Sequence, residues 1–285
     1  MMKIERAVIT AAGKGQRGIP LQTLVDRDGV TRSALEIILR EIRDAGVRKT
    51  AVIVRPGDEG VYAEAAGGEV DTLTFLPQSA PRGYGHALYQ AREFTGAEAF
   101  LHLVSDHLYV SDATSGCARQ LVEVAEAEAC AVSAVQATRE TTLSLYGAVG
   151  GARLSGRERL YEVERVLEKP TPTLAEQELV VPGLRAAHYL CFFGMHVLTP
   201  SVMSALGTAL NTAGSEESVS LSSALHAVAQ REKYLALEIG GARHNIGIPY
   251  GLFYAQLALA LRGVDREDVL AEMVTQLATR EGTRA

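Results

Sequence analysis

Hydrophobic and polar positions along the chain follow two different periods. Continuous apolar runs, Ala7-Val8-Ile9 and then residues 50–54, 72–76, 100–104 and 131–137, read as buried strands. Between them apolar residues return every third or fourth position. Ser33-Ala34-Leu35-Glu36 has capping-box spacing, and Leu35, Ile38, Leu39 and Ile42 continue the helical period to Asp44-Ala45-Gly46. A short helix after Pro56-Gly57-Asp58, one over about 87–94 and one over about 116–129 complete the first half. Strands that alternate with helices build a parallel sheet through right-handed crossovers, so the pattern predicts an α/β fold.

The pattern changes after residue 145. Tyr146-Gly147-Ala148-Val149-Gly150-Gly151, Arg159-Leu160-Tyr161-Glu162-Val163 and Tyr189-Leu190-Cys191-Phe192-Phe193-Gly194 read as strands separated by turns, hence a β-rich insertion lying over the sheet. Helices then return after Pro200 and over about 218–230, followed by a strand at 234–239. His244-Asn245-Ile246-Gly247-Ile248-Pro249 reads as a polar turn before an apolar helix over 250–261. The last segment carries Val269, Leu270, Met273 and Leu277 on one helical face, for docking on its own domain or on a second subunit. The expected division is one α/β domain over 1–262 and a helical extension over 263–285, without internal repeats.

The first strand breaks into Ala11-Ala12-Gly13-Lys14-Gly15-Gln16-Arg17-Gly18-Ile19-Pro20. Glycines allow the backbone to turn sharply and approach a bound group, and backbone N–H groups beside Lys14 and Arg17 favour an anion, which points to a phosphate site. The spacing Gly13-x-Gly15-x-x-Gly18 also fits a dinucleotide-binding fingerprint. That fingerprint needs a helix opening inside the loop and an acidic residue after the second strand. Here Pro20 leads to the turn-rich Asp26-Arg27-Asp28-Gly29, and the strand at 50–54 ends in Arg55-Pro56. A second glycine loop, Pro77-Gln78-Ser79-Ala80-Pro81-Arg82-Gly83-Tyr84-Gly85-His86-Ala87, opens a helix and can reach another part of the same ligand.

Composition narrows the partners. The chain has 285 residues, of which 47% are hydrophobic, enough for a full core. Its net charge of -6 argues against a generally basic nucleic-acid surface. Cys117, Cys130 and Cys191 have no metal-ligand spacing and form an odd set, as expected of buried thiols in a reducing compartment. The N-terminal residues show no signal-peptide pattern, and no apolar run is long enough to span a membrane, so a cytoplasmic protein is expected. Ser105-Asp106-His107 stands just past the strand at 100–104, where open α/β sheets bind ligands, and Asp106 is the best single metal-ligand candidate, with a turn-capping role as the alternative. His102 alternates with strand residues and reads as a packed core histidine, whereas His107 is open to either role. Glu168-Lys169-Pro170 sets an acid beside a base at a strand end. Neighbours on a strand face opposite ways, and Pro170 breaks that geometry so that both can face one cleft.

Taken together these loops resemble the sugar-1-phosphate nucleotidyltransferase family, and most of all its UTP-glucose-1-phosphate uridylyltransferase branch. Ala12-Gly13-Lys14-Gly15-Gln16-Arg17 is similar to the family's AGxGTR signature, Gln78 with Gly83-Tyr84-Gly85-His86-Ala87 to its Q…GLGHA segment, and Glu168-Lys169-Pro170 to its EKP, in the family's order. The resemblance implies a Rossmann-like, three-layer (glycosyltransferase-A-like) α/β fold with a mixed sheet. It also implies transfer of a nucleotidyl group from a nucleoside triphosphate to a sugar-1-phosphate, with Mg²⁺ and release of pyrophosphate; UTP and glucose-1-phosphate are the expected pair. It assigns Arg17, Asp106 and Lys169 to catalysis, and Ala12, Gly13, Gly15, Gln78 and Gly83 to the nucleotide. Gly147, Glu168 and Lys169 fall to the sugar, and Asp106 with Asn245 to the metal. A homo-oligomer is the secondary expectation raised by the apolar face of the last helix, behind docking on its own domain. Two departures stand out: the family's P-K-x-x-L-P segment is here Pro20-Leu21-Gln22-Thr23-Leu24-Val25-Asp26, without its lysine, and the second metal position holds Asn245 in place of aspartate. A nucleotide-sugar-binding or regulatory protein with weakened catalysis is the alternative these departures raise.

Overall fold

The computed structural model describes residues 2–13, 15, 17–80, 82–214 and 217–281. The candidate-loop residues Lys14 and Gln16 lie outside the described residues. The chain starts with β1 (Arg6–Thr10), a hairpin of β2 (Thr23–Val25) and β3 (Thr31–Ser33), α1 (Ala34–Asp44), β4 (Lys49–Val54), α2 (Glu59–Ala65) and β5 (Leu73–Pro77). It continues with α3 (Tyr84–Tyr89), α4 (Arg92–Thr95), β6 (Phe100–Val104), β7 (His107–Ser111), α5 (Cys117–Glu128) and β8 (Ala131–Arg139). Then come β9 (Ala148–Arg153), β10 (Leu160–Leu167), α6 (Pro172–Glu178), β11 (His188–Leu198), α7 (Pro200–Thr212) and α8 (Leu221–Ala229). The last elements are β12 (Tyr234–Glu238), β13 (Gly241–Asn245), α9 (Gly251–Ala260) and α10 (Arg266–Glu281).

A nine-stranded sheet runs in the order β5-β4-β1-β6-β11-β8-β12-β10-β9. β5, β4, β1 and β6 are parallel, while β11 runs antiparallel to both β6 and β8. The sheet is therefore mixed. Alternation along the strands sends side chains to both faces: Ala7, Ile9, Val52, Val54, Leu101 and Leu103 pack under α1 and α5, while Val8, Ile53 and Phe100 join Val202, Leu206 and Leu225 of α7 and α8. Two apolar layers sandwich the sheet between helices, the three-layer arrangement expected. Ser33 caps α1 by accepting a hydrogen bond from the Glu36 N–H at 2.9 Å, as the capping-box spacing predicts.

Four features differ from the sequence reading. The β-rich region does not lie over the sheet: β9, β10 and β11 are strands of it, joined because β11 bends at a register shift between Phe192 and His196 and pairs with β9 beyond the bend. The helix expected over 87–94 is two short helices, and the first opens at Tyr84, directly after Gly83 turns the backbone at φ +92°. His107–Ser111, given no element in the sequence reading, and Gly241–Asn245, which runs into the polar turn expected at 244–249, form an antiparallel ribbon in which Asn245 pairs with His107. Gly-Ala-Arg-His-Asn carries no apolar alternation, since β13 is half-buried throughout, and so left no period to read. The β2–β3 hairpin and α6 were likewise too short to carry a period.

Candidate active site

The carboxyl ends of β1 and β6 open into a cleft of about 480 Å³ lined by Thr10, Ala12, Gly13, Gln78, Gly83, Tyr84, Ala87, Val104, Asp106, His107, Glu168 and Lys169. Four stretches far apart in the chain meet there. A groove of about 550 Å³ between α7 and α8 is lined chiefly by alanine, serine and threonine. Glu232 within it is already held by the hydroxyls of Thr199 and Ser201, and none of the motif loops reaches it.

The glycine loop after β1 is fixed from behind. Arg55, at the end of β4, donates from Nε to the Ala12 carbonyl at 3.2 Å and from Nη2 to the Gly13 carbonyl at 2.9 Å, and the buried Tyr62 hydroxyl lies 3.3 Å from both the Ala11 and Arg17 carbonyls. The Arg17 guanidinium is on Asp58, at 2.8 Å, outside the cleft lining. Gly15 takes φ +77° and also stands outside the lining. Arg55, Tyr62 and Asp58 were not anticipated, because a loop's clamps lie on other elements and leave no spacing in the sequence.

On the opposite wall, Gly83 admits no side chain: a Cβ there would stand 2.2 Å from Ser218 Oγ and 2.9 Å from the Val219 carbonyl. This close approach is held by the Gly85 N–H on the Val219 carbonyl and the Val219 N–H on the Arg82 carbonyl. Gln78, only 5% exposed, continues from β5 with its N–H on the Val54 carbonyl, and its side-chain amide meets His86 Nδ1 at 2.9 Å. Tyr84, also unforeseen, sets its hydroxyl on His102 Nε2, while His102 Nδ1–H donates to the Val8 carbonyl at 2.9 Å. His102 is thus the packed core histidine expected. Burial drives its pKa down to about 4, against the opposing pull of the Val8 hydrogen bond, so the ring is neutral.

Asp106 stands in the turn between β6 and β7 and accepts a hydrogen bond from His107 Nδ1–H at 2.8 Å. Burial by itself raises its pKa, but the hydrogen bond and charge of His107, a backbone N–H and the charge of Lys169 outweigh it and hold the carboxyl below its ordinary value. The β7–β13 ribbon brings Asn245 to it: the Ile246 N–H donates to the Asp106 carbonyl, and a Cβ on Gly247 would lie 3.2 Å from Asn245 Oδ1 and 3.8 Å from Asp106 Cβ. Among the described residues no three His, Cys, Asp or Glu side chains gather to hold a metal. The donors at this point are one carboxylate and one amide oxygen.

Glu168 and Lys169 both line the cleft, although they are neighbours at a strand end. β10 stops at Leu167, and Lys169 takes the left-handed conformation, φ +46°, with its N–H on the Tyr146 carbonyl at 3.2 Å. Such a conformation in a residue with a side chain costs about 1–3 kcal/mol and is held by its surroundings, commonly at functional sites. Glu168 Oε2 accepts from the Ser222 hydroxyl. Gly147 is not among the lining residues. Its lack of a side chain answers to packing, since a Cβ would stand 2.7 Å from the Phe192 ring and 3.0 Å from the same Ser222 hydroxyl.

A mixed sheet with its ligand cleft at the carboxyl ends of parallel strands, walled by two glycine loops and an acid–base pair, defines a nucleotide-handling α/β protein. The chain belongs to the nucleotidyl transferase family, whose profile matches residues 6–254. Over 98% of its length it is 27% identical to the UTP–glucose-1-phosphate uridylyltransferase YngB of Bacillus subtilis strain 168, of which it covers 97%. It is 25% identical to the UTP–glucose-1-phosphate uridylyltransferase of Streptococcus pneumoniae serotype 4, covering 96% of each chain. Among solved structures, a UDP-glucose pyrophosphorylase complexed with UDP-glucose shares the fold with a TM-score of 0.74 at 20% identity, over 90% of this chain and 98% of that one. The UTP-bound enzyme from Acinetobacter baumannii does so at 0.72 and 20%, over 97% and 100%.

Proposed function

We propose that this protein joins a sugar-1-phosphate to a nucleoside triphosphate with release of pyrophosphate, and that the pair is glucose-1-phosphate and UTP. The observation that carries the reading is the convergence of Ala12-Gly13, Gln78-Gly83, Asp106 and Glu168-Lys169 on one cleft, in a chain whose curated relatives bear that activity in their names along nearly their whole length. A phosphate oxygen of the sugar-1-phosphate forms a bond to the α-phosphorus while the bond from that phosphorus to the oxygen bridging to the β-phosphate breaks, and pyrophosphate leaves with that oxygen. Such a displacement needs alignment and charge neutralisation, with no covalent enzyme intermediate.

The roles follow from position. Lys169 neutralises the sugar phosphate, and Glu168, oriented by Ser222, accepts from sugar hydroxyls. The Ala12-Gly13 backbone, held from behind by Arg55, faces the triphosphate. Gln78 and the Gly83 backbone take the base. The oxygen donors of Asp106 and Asn245 suit Mg²⁺, which binds through one or two protein oxygens and completes its shell with water and substrate phosphates. When bound, the ion offsets negative charge on the phosphates. Arg17, held on Asp58, reaches the triphosphate only by exchanging that partner, and it remains the candidate cation of the signature loop. No described helix is long and apolar enough to cross a membrane, and all three cysteines are buried free thiols, which suits the reducing cytoplasm where we place the reaction.

The test is pyrophosphate release by the purified full chain with Mg²⁺, across the four common nucleoside triphosphates and a panel of sugar-1-phosphates. UTP with glucose-1-phosphate is expected to be the best pair. Silence of the folded protein across the whole panel overturns the transferase reading.

A further inference from the structure

Gln78 is a buried amide with an unbalanced set of hydrogen bonds. Its side-chain nitrogen meets His86 Nδ1 at 2.9 Å, yet among the described residues its Oε1 accepts no hydrogen bond from the protein, and the residue lines the cleft. Other glutamine amides of the molecule use their oxygens: Gln256 Oε1 accepts from the Val25 N–H, Gln120 Oε1 from the Gly240 N–H and Gln136 Oε1 from Arg243. Gln78 Oε1 is not one of the fully buried atoms left without a partner, so it is open to the cleft, where a donor on the ligand can take the place of water.

His86 decides which end of that amide is left open. A neutral imidazole carries one N–H and one lone pair. Gln78 and Gln90 flank the ring, at 2.9 Å from Nδ1 and 3.1 Å from Nε2, so one amide must donate to the ring and the other must accept from it. Both contacts are made by amide nitrogens, and a ring with one lone pair accepts from only one of them; assigning that lone pair to the shorter contact, Gln78 Nε2 on Nδ1, puts the ring proton on Nε2 and requires the Gln90 amide to turn its oxygen toward it. Burial, with the charge of Arg82, lowers the His86 pKa and keeps the ring in this one-donor state.

We propose that His86 is a positioning residue for base selection: by accepting an N–H of Gln78 on Nδ1 it holds the amide oxygen open to the cleft, so the site favours a base with an imino N–H, as uracil has, over one with a bare ring nitrogen, as cytosine has. The inference rests on the nucleotidyltransferase reading for its ligand. A carboxamide pairs with either pyrimidine edge, depending only on which of its ends meets the ring nitrogen, so an amide free to turn over loses discrimination.

Calorimetry of UDP and CDP binding to the full chain tests it, with melting temperature as the check on folding. The wild type is expected to bind UDP the more tightly. His86→Leu is expected to lower the ratio of the two affinities about 10- to 100-fold. His86→Asn, whose Oδ1 falls near the place of Nδ1, is expected to recover most of it. Imidazole ¹⁵N shifts of the wild type add a readout free of mutation and are expected to show the Nε2–H tautomer. Equal affinity of the wild type for both nucleotides, an unchanged ratio in folded His86→Leu, an equal loss of both ligands, or an Nδ1–H ring each overturns the proposal. A protein that discriminates UDP from CDP yet releases no pyrophosphate with any substrate pair keeps this inference and loses the transferase reading.

Discussion

At the scale of single residues, Asp106 is the carboxylate proposed to hold the metal, in a cleft it shares with Glu168 and Lys169. It contributes nothing to the apolar core, so Asp106→Asn is expected to leave the melting temperature and circular dichroism near wild type while turnover falls about 100-fold or more. Unchanged activity at saturating Mg²⁺ removes its assignment to the metal. Asn245 offers only a neutral oxygen, already accepting the Gly247 N–H at 2.8 Å. A second carboxylate there is expected to lower the Mg²⁺ concentration for half-maximal activity, which a Mg²⁺ titration of Asn245→Asp reads directly. Lys169→Ala removes a charge-assisted hydrogen bond worth about 1.5–3 kcal/mol, so kcat/KM for the sugar phosphate is expected to drop about 10- to 100-fold. Wild-type sugar-phosphate kinetics in that variant detach Lys169 from the substrate.

Among the elements, β6, β8 and β11 carry a polar thread through an apolar sheet. His102 and His196 stack with their ring centroids 6.0 Å apart, and His196 Nδ1 shares a hydrogen bond with Ser133 Oγ, which in turn meets the Tyr234 hydroxyl. Burial holds both histidines neutral, pushing His102 from 6.5 to about 4 and His196 well below its ordinary value. Below pH 6.5 the unfolded chain takes up protons that the native state refuses, so stability falls with falling pH. For His102 alone the loss between pH 6.5 and pH 4 amounts to about 3 kcal/mol. Urea midpoints over this range are expected to fall steeply with acid, and less steeply in His102→Gln. A flat profile means that neither ring is held neutral by burial in the native state.

The alternation of strands and helices was legible from the sequence because each early strand is a short apolar run and each crossover has a 3.6-residue period. So were the residues of the cleft that lie in local motifs: Gly13, Gln78, Gly83, Asp106, Glu168 and Lys169 all face it. The β7–β13 ribbon was not legible, because its polar half has no period and its pairing is long-range. Nor were Tyr84, Arg55 and His86. Their roles come from what stands across from them once the sheet has formed, and single-sequence spacing does not encode that.

At the scale of the whole molecule, the proposed function has one cleft receive both halves of a nucleotide sugar, the base against Gln78 and Gly83 and the sugar against Glu168 and Lys169, all of which line it. A crystal structure of the full chain with UDP-glucose measures this directly. The account predicts one continuous ligand with uracil at Gln78, its phosphates beside Gly13 and Asp106, and glucose within hydrogen-bond distance of Glu168. A ligand bound elsewhere, or one that leaves Gln78 or Glu168 uncontacted, would contradict it.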